Sequence, residues 1–245
     1  MVSDPLEGSV SGRVVVLAGG TSAAGRAVAR ALLASGARVV TVGSHQDKLD
    51  AVAAALQQAQ GPEAVRRPGA PDLHTELCDL TSEPQVIALA QRVQDRFGRV
   101  DGLIHLVGGW RGGGGLAGQS DEDYRALEAG LTALRHETRA FDESLRASDA
   151  GRLAIVSSTA VARPLAGGAN YAAVKAASEA WTRAVAQGFT KAARDAGTDQ
   201  TGAAVIFRVK ALAGLEERLA ASVVDLWSQD AAGLNDGIIE LAPDD

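Results

Sequence analysis

Short runs of apolar, often β-branched residues alternate along the chain with longer stretches in which apolar positions recur every three or four residues. Residues 13–18 (RVVVLA) form the first run and end at a glycine; residues 22–35 form the first amphipathic stretch, closed by Gly36. The pair repeats at 38–42 and 46–59, then at 73–78 and Glu83–Phe97, and again at 102–107 and Asp121–Ala147. Further on, 152–157 precedes Ala169–Ala196, and Ala203–Val209 precedes 214–229, before a last apolar run at 238–241. Strands of about five residues alternating with helices of about twelve read as βαβ units around a parallel sheet. The strands are continuously apolar, so both faces are buried. The expected fold class is α/β, a doubly wound parallel sheet of about seven strands with helices on both faces.

Two segments interrupt this pattern. Residues 61–72 (GPEAVRRPGAPD) carry three prolines and two glycines and read as an exposed loop. Residues 108–118 (GGWRGGGGLAG) hold seven glycines in eleven positions, a composition that cannot pack a core and leaves the chain very mobile. This second segment follows the fourth strand, where open α/β sheets bind ligands, so it reads as a ligand-covering loop in preference to an inert linker. No repeat or shift in composition divides the chain, and residues 1–245 are expected to form one domain.

Composition narrows the function. Apolar residues make up 46% and charged residues 22%, values of an ordinary globular protein. The net charge is 24 − 30 = −6 with no basic run, which argues against a nucleic-acid partner. The apolar runs fall far short of the ~20 residues that span a bilayer. Residues 1–12 lack the basic-then-apolar layout of a secretion signal, so a cytoplasmic location and no membrane association are expected. The single cysteine, Cys78, excludes an internal disulfide, and no metal site is expected.

Chemistry concentrates at a few places. Gly19, Gly20, Thr21, Ser22, Ala23, Ala24 and Gly25 link the first strand to the first helix, where a tight turn and free helical N–H groups suit a phosphate. Further on, Tyr171 and Lys175 are spaced i, i+4 and share one helix face. A cation one turn away would lower the pKa of the phenol and fit it for proton transfer. Ser158 ends the fifth strand thirteen residues before Tyr171.

Together these motifs resemble the short-chain dehydrogenase/reductase family, whose marks are T-G-x-x-x-G-x-G in the first turn and Y-x-x-x-K downstream. The likeness runs from about Gly12 to Leu241 and implies a Rossmann-type fold, a nicotinamide cofactor and a carbonyl or alcohol substrate. It implies Ser158, Tyr171 and Lys175 as the catalytic set. Tyr171 would be the acid/base, Lys175 its partner and the ribose anchor, and Ser158 the stabiliser of the substrate oxygen. It places Gly19, Thr21, Ser22, Ala23, Ala24 and Gly25 at the diphosphate, Asp79 and Leu80 at the adenine, and Gly108 beside the nicotinamide half. Asp79 also reads as a helix cap ahead of Glu83. At the end of the second strand stand Gly43, Ser44 and His45, with no acidic residue to accept the ribose 2′-OH, so NADP(H) is slightly favoured over NAD(H), with Ser44 at the 2′-phosphate.

The chain departs from the family pattern at four places. Ala23 replaces the second glycine of the turn. His105 and Leu106 replace two asparagines after the fourth strand, and His105 reads as a satisfied sheet-end histidine. Gly130 stands where the family carries an asparagine that helps move protons to solvent. After Val209 no Pro-Gly follows, and little chain remains for a substrate lid. Trp110, Arg111 and Arg163 are the expected substitutes at the substrate.

The Gly-Gly-Trp-x-Gly-Gly run at 108–113 also resembles quinonoid dihydropteridine reductases, which gives an alternative substrate class. A nucleotide-binding sensor or scaffold with weak or no catalysis is a further alternative. The family resemblance implies a homodimer or homotetramer built on helices 121–147 and 169–196, with Trp181 and Phe189 as candidate anchors or, nearly as well, core side chains.

Overall fold

A computed structural model describes residues 9–60 and 72–243. The proline-rich stretch 61–72 therefore lies, except for Asp72, outside the described residues. β1 (Val14–Ala18), β2 (Arg38–Gly43), β3 (Leu73–Leu77), β4 (Gly102–His105), β5 (Arg152–Ser158), β6 (Ala203–Val209) and β7 (Gly237–Leu241) form one sheet in the order β3-β2-β1-β4-β5-β6-β7. Every neighbouring pair is parallel. The connections are α1 (Ala23–Ala34), α2 (Gln46–Gln60), α3 (Glu83–Phe97), α4 (Asp121–Ala147), α5 (Ala169–Ala196), α6 (Glu216–Asp225) and the short α7 (Ala231–Leu234).

The unbroken apolar run of β1 has a direct cause. Val15 and Leu17 enter a core shared with α1, α2 and α6, while Val14, Val16 and Ala18 enter a second core shared with α3, α4 and α5. Successive side chains of a strand point to opposite faces, so a strand between two cores needs apolar residues at every position. Each such large side chain contributes about 1.5–3 kcal/mol by burial. The order of the strands reverses between β1 and β4, and the C-terminal ends of these strands bound the crevice at that switch point.

The opposite end of the sheet is held by buried ions. Asp101 accepts from Val14 N at 2.8 Å, Arg99 Nε at 2.8 Å and Ser148 Oγ at 2.7 Å. Arg152 donates to the carbonyls of Leu226 at 2.7 Å and Gln229 at 3.1 Å. This capture explains why the helix expected over 214–229 is regular only over Glu216–Asp225: the chain beyond it turns its carbonyls toward the arginine. Membrane-spanning length and apolarity are found in no helix among the described residues.

Trp181 and Phe189, read from the sequence as subunit anchors or core side chains, both pack toward the interior. Phe189 is buried in the second core, and Trp181 is part-buried, its Nε1 donating to Thr138 Oγ1 at 2.8 Å.

Candidate active site

The turn after β1 is built by its own hydrogen bonds. Gly19 adopts φ 77°, open to glycine at little cost. Ser22 caps α1: its Oγ accepts from Gly25 N at 3.0 Å and donates to Gly19 O at 2.9 Å. A Cβ on Gly25 would lie 2.5 Å from Gly19 O, so only glycine lets α1 start this close to the turn. The first N–H groups of the helix, at Ala23 and Ala24, have no acceptor within the helix. Ala23 is exposed and Thr21 part-buried, with the Thr21 carbonyl accepting from Arg26 Nη1 at 2.8 Å. The turn thus fits a dinucleotide diphosphate: N–H donors, a helix N-terminus and a glycine cradle converge there.

Two flanking positions complete the crevice. At the end of β2, Ser44 Oγ and His45 Nδ1 lie 3.0 Å apart, both exposed. Beyond β3, Asp79 Oδ1 accepts from Thr81 Oγ1 at 2.7 Å and Thr81 N at 2.9 Å, and these bonds hold its carboxyl below the ordinary range. The cap of α3 is Ser82, so Asp79 closes a turn ahead of the helix instead of capping it. The Leu80 side chain is buried in the second core, and its carbonyl accepts from His136 Nδ1 at 3.2 Å.

The fourth strand is shorter than expected. β4 ends at His105, and the chain swings out through Gly108 at φ 146°. A Cβ on Gly108 would sit 3.7 Å from Lys175 Nζ, which places this glycine directly over the lysine.

Ser158, Tyr171 and Lys175 do meet. Ser158 ends β5, its Oγ accepting from Ala160 N at 3.1 Å, and its hydroxyl lies near enough to the Tyr171 phenol to pull that group's pKa down. Burial pushes the phenol above its ordinary value, and Ser158 only partly offsets this. The expected lowering by the lysine is not found, because Lys175 points elsewhere. Its Nζ donates to Val156 O at 2.7 Å and lies 5.9 Å from the centre of the Tyr171 ring. Burial pushes the ammonium down to about 8, against an upward pull from Glu179. Glu179, one turn further along α5, accepts from Ser157 Oγ at 2.7 Å and from Arg208 Nε and Nη2 at 2.9 and 2.7 Å. Burial alone would push its carboxyl up, but these bonds outweigh it and hold the group low.

The glycine-rich loop is tied in place. Gly113 N donates to Gly167 O at 2.7 Å, and Gln119 Nε2 donates to the carbonyls of Gly113, Gly115 and Gly167 at 3.0, 3.2 and 3.1 Å. Gln119 Oε1 accepts from Asn170 N at 3.1 Å, one residue before Tyr171. The loop is thereby pinned to the turn that precedes α5, against the mobility expected from its glycines. Trp110 is 66% exposed and Leu165 77%, an apolar surface on these two segments. Arg111 reaches toward Asp123 at 3.9 Å, and Arg163 is exposed on the turn. Lys210–Leu215 alone join β6 to α6, which leaves little chain to cover the site from that side.

Residues 13–193 match the family model for short chain dehydrogenases. The chain belongs to the short-chain dehydrogenases. Among relatives of known name, an indene-carboxyl-CoA reductase of Mycobacterium tuberculosis is 33% identical over 180 residues, covering 72% of this chain and 64% of its own. A 3beta-hydroxysteroid dehydrogenase of Mediterraneibacter gnavus is 29% identical over 179 residues, covering 71% of this chain and 59% of its own. The matched span is thus about three-fifths of the length of these relatives. A metagenomic short-chain oxidoreductase crystallised with NADP superposes with a TM-score of 0.79 at 25% identity, covering 96% of this chain and 99% of that one. A short-chain dehydrogenase of Burkholderia cenocepacia, also with NADP, shares the fold with a TM-score of 0.76 at 21% identity, over 95% and 97% of the two chains.

Four residues around the short-chain dehydrogenase site escaped the sequence reading: Gln119, Glu137, Glu179 and Arg208. Gln119 carried no signal, being a polar residue in a loop. Glu137 and Glu179 did carry one. Each lies among the buried positions of an amphipathic helix, between residues such as Leu134 and Phe141 on α4 or Val174 and Thr182 on α5. An acid on an apolar face demands a buried partner.

Proposed function

We propose that this chain is a nicotinamide-dependent oxidoreductase that interconverts a carbonyl compound and its alcohol. The observation that carries the reading is the juxtaposition of Ser158 at the end of β5 and Tyr171 at the start of α5, with Lys175 one turn further along that helix. A bound nicotinamide dinucleotide would supply or accept the hydride at the substrate carbon. Ser158 and Tyr171 would hold the substrate oxygen from two sides, and Tyr171 would give it a proton in the reductive direction. Because burial keeps the phenol protonated, it is a donor throughout the neutral range. Lys175, charged below about 8, would hold the ribose and return a proton to the phenolate left behind.

The dinucleotide would lie across Gly19–Gly25, with Asp79 toward the adenine and Gly108 beside the nicotinamide half. NADP(H) is favoured over NAD(H), because Gly43, Ser44 and His45 offer no carboxylate to repel a 2′-phosphate. For the substrate, the exposed Trp110 and Leu165 suit a ring-bearing apolar carbonyl compound, with Arg111 and Arg163 at the rim. Relatives named for steroid and indene-carboxyl-CoA substrates support that class. We read the protein as cytoplasmic, and as a homodimer or homotetramer through α4 and α5.

The test is a titration with NADPH and NADH, followed by nicotinamide fluorescence, of the wild type and of Ser44→Asp. Tighter binding of NADPH that Ser44→Asp weakens is expected. Loss of neither affinity in the variant overturns the placement of Ser44, and no binding of either cofactor overturns the oxidoreductase reading. Tight binding without turnover of any carbonyl compound selects the sensor alternative.

A further inference from the structure

A small cavity lies between α4, α5 and the ends of β4 and β5. Its volume is about 20 Å³, and His105, Gly130, Val156, Tyr171 and Lys175 are on its wall. About 10–15 Å³ of such space holds one water molecule, provided polar partners line it. The cavity exists because residue 130 has no side chain: a Cβ there would stand 3.2 Å from Val107 O and 3.6 Å from Gly108 Cα.

The polar side chains on this wall are His105, Tyr171, Lys175 and Ser178. Ser178 is engaged, its Oγ donating to Val174 O at 2.9 Å. Lys175 spends one N–H on Val156 O and keeps the others. His105 is fixed from behind. Its Nδ1 is 2.6 Å from Glu137 Oε2, both side chains are buried, and the bond leaves Nε2 as the ring's remaining polar atom. Glu137 Oε1 is buried without a partner among the described residues. A carboxylate so placed against a histidine sets the ring's orientation and tautomer. His105 reads from the sequence as a satisfied sheet-end residue, and it also lines the cavity that the lysine lines.

We propose that His105, oriented by Glu137, holds the water molecule through which Lys175 exchanges protons. The inference rests on the oxidoreductase reading above. In reduction, Tyr171 passes its proton to the substrate oxygen, and one proton must return to the phenolate. It moves from Lys175 to Tyr171, and Lys175 regains one from the cavity water. That water keeps its O–H on His105 Nε2 and takes its replacement proton from solvent, so the proton count closes with no other reactant. His105 is a positioning residue in this scheme, and Gly130 provides the space.

The first test needs no substrate. The chain has four histidines, so the ring signals of His105 can be assigned by substitution in a nitrogen-15 spectrum of the full protein. Lys175→Met should move the His105 ring nitrogen signals and leave those of His45 and His74 in place. In a Gly130→Ala background, whose methyl group displaces the water, the same Lys175→Met change should move them much less. His105 signals indifferent to Lys175→Met would overturn the proposal. The second test uses turnover. His105→Phe should lower kcat about tenfold, short of the 10²–10⁴ of a direct proton donor. It should raise the solvent isotope effect and leave the dinucleotide KM unchanged, and His105→Asn should recover most of the rate. An unchanged kcat and isotope effect in His105→Phe would equally overturn it. If the wild type turns over no carbonyl compound, the oxidoreductase reading fails, and the spectra still decide whether His105 and Lys175 share the cavity.

Discussion

Glu179 stands one helical turn beyond Lys175 on α5, yet its carboxylate bonds Arg208 and Ser157, while the lysine donates to Val156 O. The nearest acid to the candidate catalytic lysine is therefore already neutralised. This leaves burial as the main influence on the ammonium and explains why it sits near 8 and not higher.

Removing Arg208 should undo that arrangement. In Arg208→Met, Glu179 loses its bonded cation and keeps only Arg183 and Lys175 as nearby positive charges, so the lysine pKa should rise from about 8. The sign follows from the role of the charged form: reduction needs protonated Lys175, so the rate falls as pH rises through its pKa. In the variant that fall should move to higher pH. Stability should drop by about 2–3 kcal/mol, below the cost of breaking a fully buried pair because Arg208 keeps some exposure. Arg208→Met combined with Glu179→Leu should recover much of the loss in chemical denaturation. A pH profile that stays in place would show that Glu179 does not act on the lysine.

Tyr171→Phe should separate chemistry from binding. The ring fills the same space, and Ser158 and Lys175 keep their backbone partners, so the dinucleotide should bind as in the wild type. Turnover should fall by about 10²–10⁴. Stopped-flow mixing with NADPH, followed by fluorescence, gives both numbers from one preparation. A variant that still turns over at the wild-type rate would remove Tyr171 from the mechanism.

The first turn offers a paired experiment. Gly25→Ala brings a methyl group to 2.5 Å from Gly19 O and Gly20 Cα, so the start of α1 must move away from the turn. Overpacking of this kind costs about 1–3 kcal/mol, and binding should weaken with it. Ala23 is exposed, so Ala23→Gly should do the reverse and tighten NADPH binding several-fold, at a small entropic cost to the helix. Weaker binding in Ala23→Gly would mean that the alanine methyl does not face the phosphates.

What the chain makes legible before its structure is known follows from the range of each signal. β1, α1 and the turn between them are local: five apolar residues, a glycine and a capping serine suffice to place them. Ser158, Tyr171 and Lys175 are legible because a fixed spacing within and between adjacent elements brings them together. His105 and Glu137 meet across thirty-two positions, and Glu179 and Arg208 across twenty-nine, with no spacing rule to announce either contact. Tertiary packing alone makes those pairs. The pKa of Tyr171 went the other way from expectation for the same reason: i, i+4 spacing fixes the helix face, whereas Val156 O decides where the ammonium points.

The glycine-rich loop carries the last prediction. Its composition allows many conformations, and ordering them costs about 1–2 kcal/mol per residue of backbone entropy. Against that cost stand few contacts, and Gln119 supplies a large share, with Nε2 on three carbonyls and Oε1 on Asn170 N. Gln119→Ala removes all of these at once and leaves the Gly113–Gly167 backbone bond to hold the loop. Arg111 then reports on the outcome, because trypsin cuts after arginine only in an extended, accessible segment. Faster cleavage after Arg111 in the variant is expected, with the rest of the chain as resistant as before. Since Trp110 sits on the same loop and Asn170 precedes Tyr171, the carbonyl substrate should show a higher KM and the dinucleotide an unchanged one. Equal cleavage rates in the two proteins would show that the glycines are held by their own backbone and that Gln119 is not the clasp.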